Sequence, residues 1–188
     1  MRRWTALLLI CLPAAALEKA AYDSNGRIIA LLSDAEDVAV TSGVVAVLPS
    51  GKRVPLQTRR QRAGARRQGD ASAWSASFTL PDGGAGRMEL KAAEDASGVR
   101  YSIEIKAETP LEVDAIEFVV DLPRTAFVQG RVSPQGAEPV PLAAVRAAVP
   151  ALYRGETPAL RFSDATGSLE LDIVFDRPAQ ASVVDRWD

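Results

Sequence analysis

The stretch Val99–Val132, VRYSIEIKAETPLEVDAIEFVVDLPRTAFVQGRV, decides the fold. Tyr101, Ile103, Ile105 and Ala107 alternate with Ser102, Glu104 and Lys106. A period of two belongs to a strand with one buried and one wet face. After Thr109-Pro110 a second strand begins with Leu111 and Val113 in one phase. It continues with Ile116, Phe118, Val120 and Leu122 in the other. A slip of one residue turns every later side chain to the wrong face, so the pattern predicts a β-bulge at 114–115. A third short strand ends the stretch at Val132.

The same alternation recurs on both sides. Trp74, Ala76, Phe78 and Leu80 form an apolar row before the turn Pro81-Asp82-Gly83-Gly84. Met88, Leu90 and Ala92 form the next row, and Asp95-Ala96-Ser97-Gly98 turns it into the Val99 strand as an antiparallel hairpin. Further upstream, Arg27–Leu32 and Val38–Val40 read as short strands. Val44–Leu48 and Arg53–Leu56 flank Pro49-Ser50-Gly51-Lys52 as a hairpin, with glycine supplying the positive φ. Downstream, Ser133–Pro141 is loop, because Pro139 and Pro141 cannot both serve a ladder. Leu142–Leu152 is alanine-rich and makes either a helical turn or an irregular crossover. Ala159–Phe162 and Ser168–Phe175 are strands about an Asp164–Gly167 turn, and Ala181–Val184 starts a last one.

These signals predict an all-β antiparallel β-sandwich of about 8–10 strands with at most one short helix, with a barrel as the alternative. Strict alternation argues against a parallel α/β sheet, whose strands are apolar throughout. The inner faces are expected to carry Trp74, Phe78, Tyr101, Ile103, Ile105, Ile116, Phe118, Val120, Leu169, Leu171, Ile173 and Phe175.

The 188 residues contain no histidine and a single cysteine, with a formal charge of −2. The missing imidazole removes Ser-His-Asp and Cys-His nucleophiles and every His-ligated metal site. Met1–Ala16 has the anatomy of a secretory signal peptide: Arg2-Arg3, the apolar run Ala6–Leu12, Pro13 and the A-x-A site Ala14-Ala15-Ala16. The run is too short for a bilayer span of about 20 residues. A buried N-terminal helix is the alternative. Cys11 is a poor lipid-attachment site because Ile10 precedes it. The expected organisation is a leader at 1–16, a lead-in at 17–26 and a β-sandwich domain at 27–188, in a secreted or periplasmic chain. Asp185-Arg186-Trp187-Asp188 carries no mark of a natural end, so the reading admits truncation there. With Cys11 in the leader, the mature chain has no disulfide or thiolate chemistry, and nothing calls for a cofactor.

Thr58–Ser72 interrupts the strands with Arg59, Arg60, Arg62, Arg66 and Arg67. Arginines in a glycine-containing loop can bind a phosphate, a lipid headgroup or an acidic polysaccharide. The plainer reading is a solvated, self-repelling loop, and nucleic acid is not expected as a partner of an exported chain. Asp121, Asp172, Asp176 and Asp185 lie near strand ends. A glycosidase needs two such carboxylates about 5 to 9 Å apart, but turn caps or pairs with Arg124, Arg177 and Arg186 explain them as well. Asp82, Asp95 and Asp164 are turn aspartates that could meet calcium, without EF-hand spacing. Sugar binding needs exposed aromatics. Trp74 and Tyr101 fall on apolar faces, which leaves Tyr153, in a loop with Arg154 and Glu156, and then Trp187.

The run Tyr101–Val132 has Ala107-Glu108 before a turn, Asp121-Leu122-Pro123 after a long strand, and Gly130 beyond. With Phe175-Asp176-Arg177-Pro178 and Asp185-Arg186-Trp187, it resembles the galactose-mutarotase-like β-sandwich domains that precede catalytic domains in bacterial secreted glycoside hydrolases. The resemblance covers at most 27–188. It implies a non-catalytic module that packs on a catalytic domain of the same native chain and contributes to sugar binding, with a polysaccharide as partner. No catalytic residue carries over, because no catalytic signature is matched. The alternative from the residues is a free-standing cell-envelope protein that meets anionic partners through the arginine loop 59–67.

Overall fold

A computed structural model describes residues 3–11, 17–33, 37–56, 66–68, 71–95, 98–142 and 151–184. The strands are β1 (Arg3–Cys11), β2 (Leu17–Tyr22), β3 (Ile28–Ser33), β4 (Val38–Ala39), β5 (Thr41–Val47), β6 (Arg53–Pro55), β7 (Arg66–Gln68) and β8 (Ala71–Thr79). They continue as β9 (Ala85–Asp95), β10 (Gly98–Ala107), β11 (Ala115–Asp121), β12 (Arg131–Pro134), β13 (Val140–Pro141), β14 (Ala151–Ser163) and β15 (Glu170–Val184). The one helix among the described residues, α1, is the single turn Arg124–Phe127. The expected third short strand is β12, which continues past Val132 to Pro134, and β13 also falls in the expected loop 133–141.

Nine strands form one sheet in the order β13-β12-β14-β15-β1-β10-β9-β8-β7. Two three-stranded sheets, β11-β5-β6 and β2-β3-β4, cover one face of it. Every ladder is antiparallel. The expected all-β sandwich is therefore what the chain forms, with more strands than the alternation alone revealed.

The β9–β10 hairpin is the frame. Its register is unbroken from Gly98↔Asp95 to Ala107↔Gly86. Tyr101, Ile103 and Ile105 on β10, and Met88 and Leu90 on β9, are buried. Opposite them, on the wet face, Lys106 lies between Glu89 at 3.6 Å and Glu104 at 3.5 Å. Such half-exposed pairs contribute about 0–1 kcal/mol each, so the buried face dominates. Tyr101 stacks obliquely on Phe118 of β11, with ring centroids 5.5 Å apart. Tyr22 of β2 meets Trp74 of β8 at 5.1 Å. The two small sheets are thus seated on one continuous core.

At the expected bulge, 114–115, the Asp114 N–H donates at 2.8 Å to the carbonyl of Val47, the residue opposite Ala115, so two residues face one. The ladder of β11 with β5 is regular from Ala115↔Val47 to Asp121↔Thr41. Leu111–Asp114 lies outside any strand. Pro110 lacks an N–H, so pairing lapses there, and Leu111 and Val113 reach the core from an irregular connection. The change of phase falls at this irregular entry to the ladder, where Asp114 and Ala115 both face Val47. Of the expected core, Ile116, Phe118, Val120 and Phe175 are half-buried, and the other eight residues are buried.

The strands expected at Ala159–Phe162, Ser168–Phe175 and Ala181–Val184 belong to one long hairpin, β14–β15. Leu142–Leu152 contributes the start of β14 at Ala151; residues 143–150 lie outside the described residues. Arg3–Cys11, the centre of the expected leader, is β1, the middle strand of the nine.

Candidate functional surfaces

The β14–β15 hairpin runs past the rest of its sheet. From Ser163↔Glu170 to Ala159↔Val174 it is paired in register, and β1 joins β15 as far as Leu8↔Phe175. The register then shifts, and Thr157↔Ala179 resumes a second ladder that reaches Ala151↔Val184. Pro158 and Phe175-Asp176-Arg177-Pro178 occupy the break, where prolines lacking an N–H cost no ladder bond. Thr157 is fully buried and fastens the break: its hydroxyl has the Ala159 carbonyl at 2.7 Å and the Gln135 carbonyl at 3.1 Å as acceptors for its one proton.

Beyond the break the two strands form a ribbon. Tyr153 lies in strand β14 rather than in the expected loop, because residues 151–157 find their partners on β15. Its hydroxyl donates to the Glu156 carbonyl at 3.3 Å. The ring lies across Gly155, where an added Cβ would meet the phenol oxygen at 2.9 Å. Tyr153, Ala181 and Val183 are half-buried against the core, and Val184 is 44% exposed. The ribbon therefore presents an aromatic ring and short apolar side chains at the surface. Trp187, expected with Tyr153, lies outside the described residues.

At the far edge of the large sheet, β7 carries Arg66 and Arg67 on its backbone, paired with Ala73 and Ser72. Positive residues on an edge strand also discourage unwanted strand pairing. Arg59, Arg60 and Arg62 lie outside the described residues.

Of the candidate carboxylates, Asp121 ends β11, Asp176 falls in the break of the β14–β15 hairpin, and Asp185 lies outside the described residues. Asp172 takes a two-pronged hydrogen bond from Arg161, Nε and Nη2 each at 2.7 Å. The two residues are cross-strand neighbours, which spacing along the chain does not reveal. That hydrogen bond and charge raise the Arg161 pKa further. Asp95 pairs with Arg100 at 3.6 Å, and Asp82 accepts from the Gly84 N–H at 3.1 Å. Asp164 accepts hydroxyls from Thr166 and Ser168 and the N–H of Leu169. Among the described residues no three acidic or thiol side chains gather as a metal site.

One polar cluster escaped the sequence reading. Glu94 on β9 accepts from the Tyr22 hydroxyl at 3.0 Å and from the Ala20 N–H at 3.3 Å. Burial, then the Glu94 charge and hydrogen bond, push the Tyr22 phenol far above its ordinary range. The two residues are 72 positions apart, so only the seating of β2 on the large sheet reveals them.

A hollow of about 190 Å³ opens beside β5, with Arg27, Pro55, Val119 and Asp121 on its walls. It is smaller than the usual small-molecule site of roughly 300 Å³ or more. Arg27 is engaged there: Asp23 accepts from its Nε at 2.7 Å and from its backbone N–H at 3.0 Å. Burial raises the Asp23 pKa, but these bonds and the Asn25 N–H outweigh it, so the carboxyl lies below its ordinary 3.8.

No helix among the described residues is long and apolar enough to cross a membrane. Compared with known proteins, the chain matches no family model, no curated protein and no solved structure.

Proposed function

We propose that the chain is a non-catalytic β-sandwich module of an exported carbohydrate-active protein, packing against a catalytic domain and adding one wall to a sugar site. The observation that carries this reading is the β14–β15 ribbon. It is a two-stranded ribbon that runs past the neighbouring strands of its sheet, with Tyr153 laid over Gly155 and Val184 exposed. A flat ring over a small residue is a surface on which a sugar can stack, and short apolar neighbours suit a domain contact.

The test is retention of the full chain on a panel of insoluble neutral and acidic polysaccharides, with photo-crosslinking from position 184 in the native protein. The reading expects retention that Tyr153→Ala lowers about ten-fold, as the loss of a stacking contact of about 1.4 kcal/mol would, at unchanged Tm. It also expects a crosslink to a catalytic domain. Loss of neither retention nor crosslinking in the Tyr153 and Val184 variants would sink it.

A second reading has one observation in its favour. Arg66 and Arg67 sit on the edge strand β7, beside the remaining arginines in sequence. That places positive charge at one end of the large sheet, where an anionic polymer or surface could lie. Binding of this kind weakens steeply between low and high salt and fails on charge reversal at Arg66 and Arg67. Salt-independent binding would exclude it.

A further inference from the structure

β1 fills a slot between two strands that do not otherwise meet. Arg3 to Ile10 pair with Lys106 to Val99 of β10, and Leu8 to Cys11 pair with Phe175 to Asp172 of β15. Both ladders are antiparallel, so β10 and β15 run parallel to each other with one strand's width between them. Adjacent strands lie about 4.8 Å apart, so these two cannot hydrogen-bond across the place of β1. Ile10 completes a cross-strand row with Val99 and Ile173, in which the three residues are 1%, 0% and 6% exposed. An empty slot would leave two rows of N–H and C=O groups without partners and would uncover that row.

The strand that fills the slot is also the apolar centre of the expected secretory leader. A segment removed on export cannot hold the middle of the sheet. We propose that in the exported chain the slot is a strand-acceptor groove. It takes an extended apolar segment of a partner polypeptide, laid antiparallel to both β10 and β15. The proposal rests on the export reading.

The groove defines its guest through the strand seated in it. The ladder with β10 spans eight register positions, from Arg3 to Ile10, so the guest supplies about eight extended residues. At the position of Ile10 it must be apolar, because that side chain enters the core. Proline is excluded at the positions of Leu8 to Ile10, where strands on both sides pair with the backbone. Main-chain bonds on two sides give affinity, and the buried row gives selectivity, as in strand addition to a sheet.

The test uses the full chain, made without export, with a protease site placed within residues 12–16 and cut after folding. The probes are a labelled peptide of the sequence of residues 3–11 and its Ile10→Asp counterpart. The proposal expects the first to replace the cut strand one-to-one and to restore hydrogen-exchange protection along Val99–Lys106. The second should bind at least about ten-fold more weakly, because its charge would be buried. No uptake, or equal uptake of both, overturns the groove. If the cut chain unfolds, the intact chain decides. Cys11 lies opposite Asp172, so in the Asp172→Cys variant mild oxidation yields an internal disulfide when β1 is seated. Two persistent free thiols overturn it. N-terminal sequencing of the exported protein tests the export reading separately. A chain beginning at Leu17 supports an open groove, whereas a chain retaining residues 3–11 removes the need for a partner whatever the peptides do.

Discussion

Tyr101 donates its hydroxyl to the Gly26 carbonyl at 2.6 Å, and both residues are buried. This bond ties β10 to the turn that leads into β3. Gly26 takes a φ of +77°, and an added Cβ would lie 2.6 Å from the Trp74 ring. Turn, strand and indole therefore constrain one another. Tyr101→Phe leaves the packing intact but strands a buried carbonyl, at a cost of roughly 1–3 kcal/mol. Gly26→Ala meets both a disfavoured backbone and the indole, and should cost more. Urea unfolding of both variants checks the order. An unchanged midpoint for Tyr101→Phe would mean that another donor reaches the carbonyl.

Tyr22 governs the alkaline limb of stability. Its phenol is raised in the fold, first by burial and then by Glu94. A group whose folded pKa exceeds its unfolded value stabilises fully below the unfolded value, here 10.0. That stability is lost as pH rises above 10, since only the unfolded chain ionises there. Thermal unfolding between pH 9 and about 11.5 should show a steep fall in Tm for the native chain and a shallower one for Tyr22→Phe. Parallel curves would show that Tyr22 is not the group responsible. At neutral pH the variant loses the Glu94 bond and should be less stable by about 1 kcal/mol.

What could be read in the sequence follows the range of the signal. Alternation across Met88–Ala92 and Tyr101–Ala107 is local and strong, and it located the central hairpin and most of the buried row. The long β14–β15 hairpin was hidden because Pro158 and Pro178 look like strand ends. Only a partner strand can show that both fall at one shared break in register. β1 was hidden for another reason. The apolar run Ala6–Leu12 satisfies a leader and a central strand equally well, since a strand paired on both sides need not alternate. The site was less legible than the fold. Arg161–Asp172 and Tyr22–Glu94 arise from register and sheet packing, which carry no trace in chain spacing. Tyr153 stands out in the sequence through its polar neighbours Arg154 and Glu156, but its seat on Gly155 requires the strand.

Asp164 controls the acid limb at the turn of the same hairpin. The Thr166 hydroxyl, the Leu169 N–H and the Ser168 hydroxyl lower its carboxyl from 3.8 to about 2. A lowered pKa stabilises above the unfolded value, and the gain is lost as pH falls through the folded value. The deficit of Asp164→Ala relative to the native chain should therefore be full at neutral pH. It should shrink from about pH 4 downward and vanish below about pH 2. Paired denaturant titrations across that range measure it. A deficit independent of pH would assign the role of Asp164 to shape rather than charge.

Gly130 is the tightest backbone contact in the sheet's outer half. It follows α1, and its N–H donates to the Phe127 carbonyl at 3.0 Å. Its own carbonyl accepts from Leu142 at 2.9 Å, which brings β13 onto β12. An added Cβ would collide with the Ser163 carbonyl oxygen of β14. That neighbour is backbone in a paired strand, so it cannot swing aside as a side chain would. Gly130→Ala must push β12 off β14 or break one of these bonds, and either opens the core at Val132 and Phe162, which are 0% and 8% exposed. The expected loss is roughly 3 kcal/mol or more, at the severe end for a single methyl group. Ala126→Gly, in the adjacent helical turn, serves as the control and should cost about 1 kcal/mol. Hydrogen exchange should show the Gly130→Ala damage confined first to β12, β13 and the adjoining part of β14, with β9 and β10 still protected. Uniform loss across all strands would mean that the nine-stranded sheet unfolds as one unit and that this edge is not separable from it.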